Sequence, residues 1–223
     1  MADVRPIHAV AAQAEREGLR REGDRKRPLG RKGRETRNRL LQAAYEQFSE
    51  TGYRSTKAAD ICERAGISVG TFYQYFHSRA DVMSSLVADT LKATLRTEPW
   101  RLSQGTDGLR RLLNDYVEHY RGTAAFQGVW EEATHVDELP ANVRRDLSRW
   151  LTEGVEHEFR KAKRNGGLPT EVDPVLLARA LTAMVDRYCY LTYVFDPPAE
   201  PVPVERSVDT LVHVWATSLG MRA

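Results

Sequence analysis

Apolar positions recur every three to four residues through most of the chain from about residue 35 onward, and no stretch alternates long enough to read as a strand. Leu40, Leu41, Ala44, Tyr45 and Phe48 share one face of a helix predicted over 35–51, which Gly52 closes. A second, short helix opens at Thr56 as its cap and buries Ile61, Cys62 and Ala65. A third offers Phe72 and Phe76 inward at i, i+4 spacing. Ser78 followed three residues later by Asp81 resembles a capping box, so a fourth helix is expected from there to about Thr97, with Pro99 ending it. Beyond Gly105 the pattern predicts helices over 107–121, 124–136, 141–165, 174–195 and 204–220. Asp173-Pro174 is a cap followed by proline at the first helical position. Gly166-Gly167 closes the helix before it, and Pro197-Pro198 follows the one after. The expected fold is all-α with about nine helices.

Between the second and third helices lies a pattern with its own grammar. Gly66 stands where a helix must end with a left-handed residue, and Ser68 stands where the next helix needs a side-chain cap. Two short helices about so tight a turn make a helix-turn-helix, whose second helix enters a DNA groove. While Phe72 and Phe76 face the core, the opposite face presents Ser68, Val69, Gly70, Thr71, Tyr73, Gln74 and Tyr75. Tyr73 divides its ring between packing and a hydroxyl able to bind phosphate, and Tyr75 is expected to be exposed.

Charge sharpens this picture. The net charge is only +2, but residues 20–39 hold ten Arg or Lys against three acids. That local +7 abuts the DNA-reading pattern, where phosphate or minor-groove contact is the stronger reading and a solvated tail the simpler one. Residues 1–33 lack a sustained apolar period and are interrupted by Pro6, Gly18, Gly23, Pro28, Gly30 and Gly33, which reads as a mobile arm. The domain plan is thus an arm over 1–33, a DNA-binding domain over 34–80, and a ligand-binding and dimerisation domain over 81–223.

Composition excludes several alternatives. At 223 residues with 41% hydrophobic content the chain can build a real core. No apolar run approaches the roughly 18 residues a bilayer span needs, and the N-terminus is charged, so a cytoplasmic protein without membrane contact is expected. Cys62 and Cys189 sit among apolar helical neighbours as small buried side chains, and no Cys/His spacing suggests a metal. His119, His135, His157 and Asp186 form no spacing of nucleophile, base and orienting partner, so neither catalytic residue nor cofactor is expected.

The succession Phe48-Ser49-Glu50-Thr51-Gly52-Tyr53, Ala59-Asp60-Ile61, Ala65-Gly66-Ile67-Ser68 and Gly70-Thr71-Phe72-Tyr73-Gln74-Tyr75-Phe76 resembles the TetR family of transcriptional repressors over about 35–85. The resemblance implies a homodimer that binds a double-stranded palindromic operator and is released by a small, mainly apolar effector. By position it assigns DNA contacts to Thr56, Ser68, Gly70, Tyr73, Gln74 and Tyr75; Thr71 can reach base edges or a thymine methyl, and Lys57, Val69 and Arg79 complete the candidate DNA-binding residues. Two departures stand out. Val69 occupies a position that is polar in many members, and His77-Ser78-Arg79 replaces the usual Pro-Ser-Lys, with Arg79 expected to keep the phosphate contact.

Two C-terminal stretches, Ala178 to Arg187 and Asp209 to Leu219, resemble the ethionamide-resistance branch of that family, whose C-terminal half holds a long apolar tunnel. Position matching lines such a tunnel with Leu109, Tyr116, Tyr120, Leu147, Trp150, Thr182, Val185, Asp186 and Trp215. The aromatic content adds Phe126 and Trp130, although these rings equally suit a filled core. Asp186, on an otherwise apolar face, is either paired with Arg187 or Arg179 or is a ligand anchor, pairing being the simpler reading. Leu177, Leu181, Met184, Tyr188 and Leu191, with Val208, Leu211, Val212, Trp215 and Leu219, make two apolar stripes that either complete one core or form a two-fold interface. A regulator governed by a protein partner is the main alternative, and a helical enzyme or carrier is a remote one.

Overall fold

The computed structural model describes residues 30–94, 101–169 and 171–221. Among these the chain forms nine α-helices and no strand: α1 (Arg31–Thr51), α2 (Ala58–Ala65), α3 (Val69–Tyr75), α4 (Arg79–Thr94), α5 (Gly105–Gly122), α6 (Ala124–Thr134), α7 (Glu138–Arg164), α8 (Pro174–Tyr190) and α9 (Val204–Ser218). A short 3-10 turn, Leu102–Gln104, leads into α5, and a π-turn, Leu191–Phe195, extends α8.

Helix α1 begins four residues before the predicted start. One glycine costs a helix interior only about 1 kcal/mol, so Gly33 does not break it, and the Arg34 amide closes on the Gly30 carbonyl at 3.0 Å. The last part of the expected arm is therefore helical, while its first 29 residues lie outside the described ones. The predicted continuation of α4 to Thr97 lies outside them as well.

The described residues fall into two compact units. One comprises 30–93 and 125–147, the other 101–124 and 148–221, so α7 contributes to both. In the first unit α1 packs on α2 and α2 on α3 around Leu40, Ala44, Phe48, Ile61, Phe72 and Phe76, none more than 2% exposed. In the second, α5 packs on α9 and α8, and Leu109, Val117, Phe159, Cys189 and Trp215 join one apolar core. Phe159 meets the Trp215 ring edge-on at 6.2 Å.

The apolar stripes divide accordingly. Leu181, Val208, Leu211, Val212, Trp215 and Leu219 complete this core, with Leu177, Met184 and Tyr188 packed against it. The large apolar side chains that α8 and its π-turn leave exposed are Leu176, Leu191 and Phe195. Among the described residues no helix is long and apolar enough to cross a membrane.

Candidate nucleic-acid interface and effector region

The turn between α2 and α3 is built as its residue types dictate. Gly66 adopts φ 61°, ψ 40°, a left-handed conformation that costs a residue without Cβ nothing. From there the Gly66 and Ile67 amides close on the Glu63 and Cys62 carbonyls at 3.1 and 3.0 Å. Ser68 then caps α3: its hydroxyl oxygen accepts the Thr71 amide at 3.2 Å and lies 2.9 Å from the Thr71 hydroxyl. Phe72 and Phe76 are buried, whereas Ser68, Val69, Gly70, Tyr73 and Gln74 are exposed and Thr71 and Tyr75 half-buried. The exposed phenol is thus Tyr73, whose ring meets Phe72 edge-on at 5.3 Å, and Tyr75 is the more covered of the two.

Two expected phosphate contacts are engaged elsewhere. Thr56 is fully buried, and its hydroxyl donates to the Gly52 carbonyl at 2.7 Å, beside the Thr51 hydroxyl at 3.0 Å. Nor does it cap α2. Lys57 is the capping residue, and the Asp60 carboxylate receives the Lys57 amide at 2.7 Å, so the acid three residues on does the capping. Arg79 donates through one Nη1 to the carbonyls of Tyr53, Arg54 and Thr56 at 3.1, 3.0 and 2.9 Å, and its guanidinium lies 4.6 Å over the Tyr53 ring. It works as a clamp on the α1–α2 turn. The Ser78–Asp81 box also shifts: the Ser78 hydroxyl takes the Asp81 amide at 3.2 Å, but the Asp81 carboxylate reaches back to the His77 amide at 2.7 Å.

The same turn is gripped from α6 and from the turn that follows it, a connection sequence reasoning missed. The Glu132 carboxylate accepts the Tyr53 and Arg54 amides at 2.8 and 3.1 Å, and the Tyr53 hydroxyl donates to Asp137 at 2.6 Å. Burial, then the Asp137 carboxylate, drives the Tyr53 phenol far above the usual tyrosine range. Only the residue types on α6, acids on a helix otherwise carrying Phe126 and Trp130, could have hinted at this.

In the other unit the structure brings some of the proposed effector residues together. Leu109, Tyr120, Val185 and Trp215 share the core and Tyr116 packs against it. Asp186 accepts hydrogen bonds from the hydroxyls of Tyr116 at 2.8 Å and Tyr120 at 3.4 Å, phenols on α5 that a helical wheel of α8 could not reveal. Burial, and after it the Asp186 charge, raises the Tyr116 phenol well above its ordinary range. Thr182 bonds the Ala178 carbonyl at 2.8 Å and meets the Thr152 hydroxyl at 3.1 Å, and Trp150 is half-buried. Burial lowers the His119 imidazole below its ordinary value.

Phe126, Trp130 and Leu147 belong to the unit that contains the helix-turn-helix. Phe126 stacks on Tyr45 at 5.7 Å, and the Arg144 guanidinium lies 5.0 Å over Trp130. Among the described residues no group of three or more His, Cys, Asp or Glu could hold a metal.

Comparison with known proteins accounts for both parts of the chain. Residues 40–86 match the family model of bacterial regulatory proteins of the tetR family, and residues 106–220 match that of the C-terminal domain of the transcriptional regulator EthR. EthR of Mycobacterium tuberculosis is 26% identical over 189 residues, covering 81% of this chain and 85% of its own. The helix-turn-helix transcriptional regulator YdgC of Bacillus subtilis is 27% identical over 173 residues, covering 74% and 87%. Among solved structures, NalD of Pseudomonas aeruginosa, the secondary repressor of the MexAB-OprM multidrug efflux pump, superposes with a TM-score of 0.68 at 20% identity, over 86% of this chain and 99% of its own. MexZ, a repressor from the same organism, gives 0.66 at 21% identity, over 83% and 94%. These similar proteins are transcriptional regulators, not enzymes. The C-terminal match alone spans more than half of the 223 residues and the N-terminal match holds the reading helix, so the chain belongs to the TetR family of transcriptional regulators and carries a C-terminal domain of the EthR type.

Proposed function

We propose that the protein is a dimeric repressor that holds a palindromic operator through α3 and releases it when a small, mainly apolar molecule enters the C-terminal unit. The observation that carries the DNA-binding half is the face of α3: Ser68, Val69, Gly70, Tyr73 and Gln74 stand in solvent while Phe72 anchors the helix from behind. A dimer is supported by Leu176, Leu191 and Phe195, exposed by 64%, 39% and 67% on α8 and its π-turn. Two heads related by a two-fold axis meet half-sites about 34 Å apart or a multiple of that. The effector half is supported by the Tyr116–Asp186–Tyr120 cluster, polar groups beside an apolar core such as fix a ligand's orientation. A ligand releases DNA only if it binds the two conformations with different affinity.

Mobility shift with upstream genomic fragments, with and without lipophilic compounds, tests both halves, and sedimentation tests the dimer. Retarded fragments freed by a compound are expected. Failure to retard any fragment at low salt sinks the DNA-binding reading. Retardation indifferent to every compound favours control by a protein partner, a reading that the close packing of Leu109, Tyr120 and Trp215 also suits.

A further inference from the structure

We propose that α3 reads its operator chiefly through base methyl groups, so that the positions beneath it are A·T pairs whose thymine 5-methyls are part of the recognised surface. This rests on the DNA-binding reading above. In the major groove guanine is read by Arg or Lys on O6 and N7, cytosine by a carboxylate, adenine by a Gln or Asn amide, and thymine by apolar contact with its methyl. Helix α3 is Val-Gly-Thr-Phe-Tyr-Gln-Tyr and carries no charged side chain, so it has no group for the first two readings. Gln74, exposed, has the amide that pairs with adenine. Val69 and Thr71 remain.

Val69, the first residue of the helix, is 44% exposed, an apolar side chain on a face turned away from the core. Its neighbour Gly70 carries no side chain, and a Cβ built there would meet nothing within 4 Å, so the backbone beside Val69 is open to a close approach. Thr71 has both a hydroxyl and a methyl to offer. Its hydroxyl is held 2.9 Å from the Ser68 hydroxyl, while its own amide donates to that same Ser68 oxygen. The cap therefore takes up one hydrogen-bonding position of the Thr71 hydroxyl and holds its orientation, while the γ-methyl is wholly uncommitted. Val69 and Thr71 thus each bring an apolar group to the first turn of a reading helix whose remaining specificity comes from one amide and one exposed phenol, Tyr73.

The operator sequence is itself obtained in the test. Full-length protein is used to select from a random duplex pool, and the enriched motif is resynthesised with deoxyuridine for each thymidine in turn, which removes only the methyl. Binding is expected to weaken about fourfold at one or two thymidines per half-site, the scale of one buried methyl group. Val69→Ala should abolish the penalty at one of these and Thr71→Ser at another, since serine keeps the bond to Ser68 and lacks only the methyl. Thr71→Val, which keeps the methyl and loses the hydroxyl, should preserve it. A 5-methylcytosine placed at a sensitive thymidine, paired with guanine, should bind more tightly than plain cytosine there.

A motif that binds unchanged with deoxyuridine at every thymidine overturns the proposal while leaving DNA binding intact. So does a penalty kept in full by both the Val69→Ala and Thr71→Ser proteins. A pool that yields no enriched motif overturns the DNA-binding reading and this proposal together.

Discussion

The hydroxyl of Tyr53 donates to the carboxylate of Asp137 at 2.6 Å across 84 residues of sequence. Arg79 closes the triangle, its guanidinium stacked on the Tyr53 ring and its Nε 3.6 Å from the same carboxylate. A partly buried hydrogen bond to a charged acceptor contributes about 1.5–3 kcal/mol. Tyr53→Phe should therefore lower the urea midpoint of the native protein without changing the denaturant slope. Asp137→Asn added to it should cost little more, and a double-mutant cycle in urea should return a coupling of about 1 kcal/mol. Strictly additive losses would show that the two residues stabilise independently.

Gly52 should tolerate no side chain. It sits at φ 79°, ψ 167°, a region almost reserved for glycine, and a Cβ there would come within 3.1 Å of the Glu132 carboxylate that holds the next two amides. Gly52→Ala is expected to cost about 1–3 kcal/mol and to loosen the Tyr53 and Arg54 amides first. Hydrogen exchange at those two positions, compared with the α5 amides, checks this. Unchanged protection would mean that the turn bends without losing Glu132.

Asp186 and Tyr116 should behave as partners whose separation costs more than their joint removal. Asp186→Val takes from the Tyr116 hydroxyl its acceptor at 2.8 Å, and a buried donor deprived of its partner costs about 1–3 kcal/mol. Adding Tyr116→Phe should restore part of that loss, measured again by urea midpoint. A double variant less stable than Asp186→Val alone would contradict the prediction.

Alkaline pH should destabilise the fold partly through Cys189. Its thiol is raised from 9.0 to about 12, by burial first and by the Asp186 charge second. Below pH 9 folded and unfolded chains both keep the proton. Between 9 and 12 only the folded chain keeps it, so stability falls as pH rises, by at most about 1.4 kcal/mol per pH unit from this group. Tyr53 and Tyr116, also shifted upward, add the same sign above about pH 10. Cys189→Ala should show a shallower decline of the urea midpoint across that window, and an identical slope would assign the effect to the tyrosines.

The local grammar is legible in the sequence because its causes are local. Gly66 and Ser68 act within four residues of themselves, as does Asp173, whose carboxylate receives the Val175 and Leu176 amides at 2.7 and 3.2 Å, so the reading head and the start of α8 can be written from the chain alone. Thr56 shows the limit. A threonine before a helix satisfies the capping rule, but the hydroxyl turns back to Gly52, and Asp60 caps from inside the helix. Arg79 and Asp186 elude the sequence for a further reason: their partners lie 23 to 26 and 66 to 70 residues away, on elements that periodicity detects but cannot juxtapose. The proposed effector residues Phe126 and Trp130 likewise follow the reading head in sequence by many residues yet share its compact unit.

The grip of Glu132 on the Tyr53 and Arg54 amides bears on how such regulators can be rewired. An engineer who moves the reading head onto a foreign sensor by cutting after residue 93 leaves those amides without their acceptor, Tyr53 without Asp137, and Tyr45 without the Phe126 ring. The graftable cassette is discontinuous: it includes 125–147 as well as the head, and a chimera that omits the second piece inherits the DNA-facing helix without the struts that hold its frame.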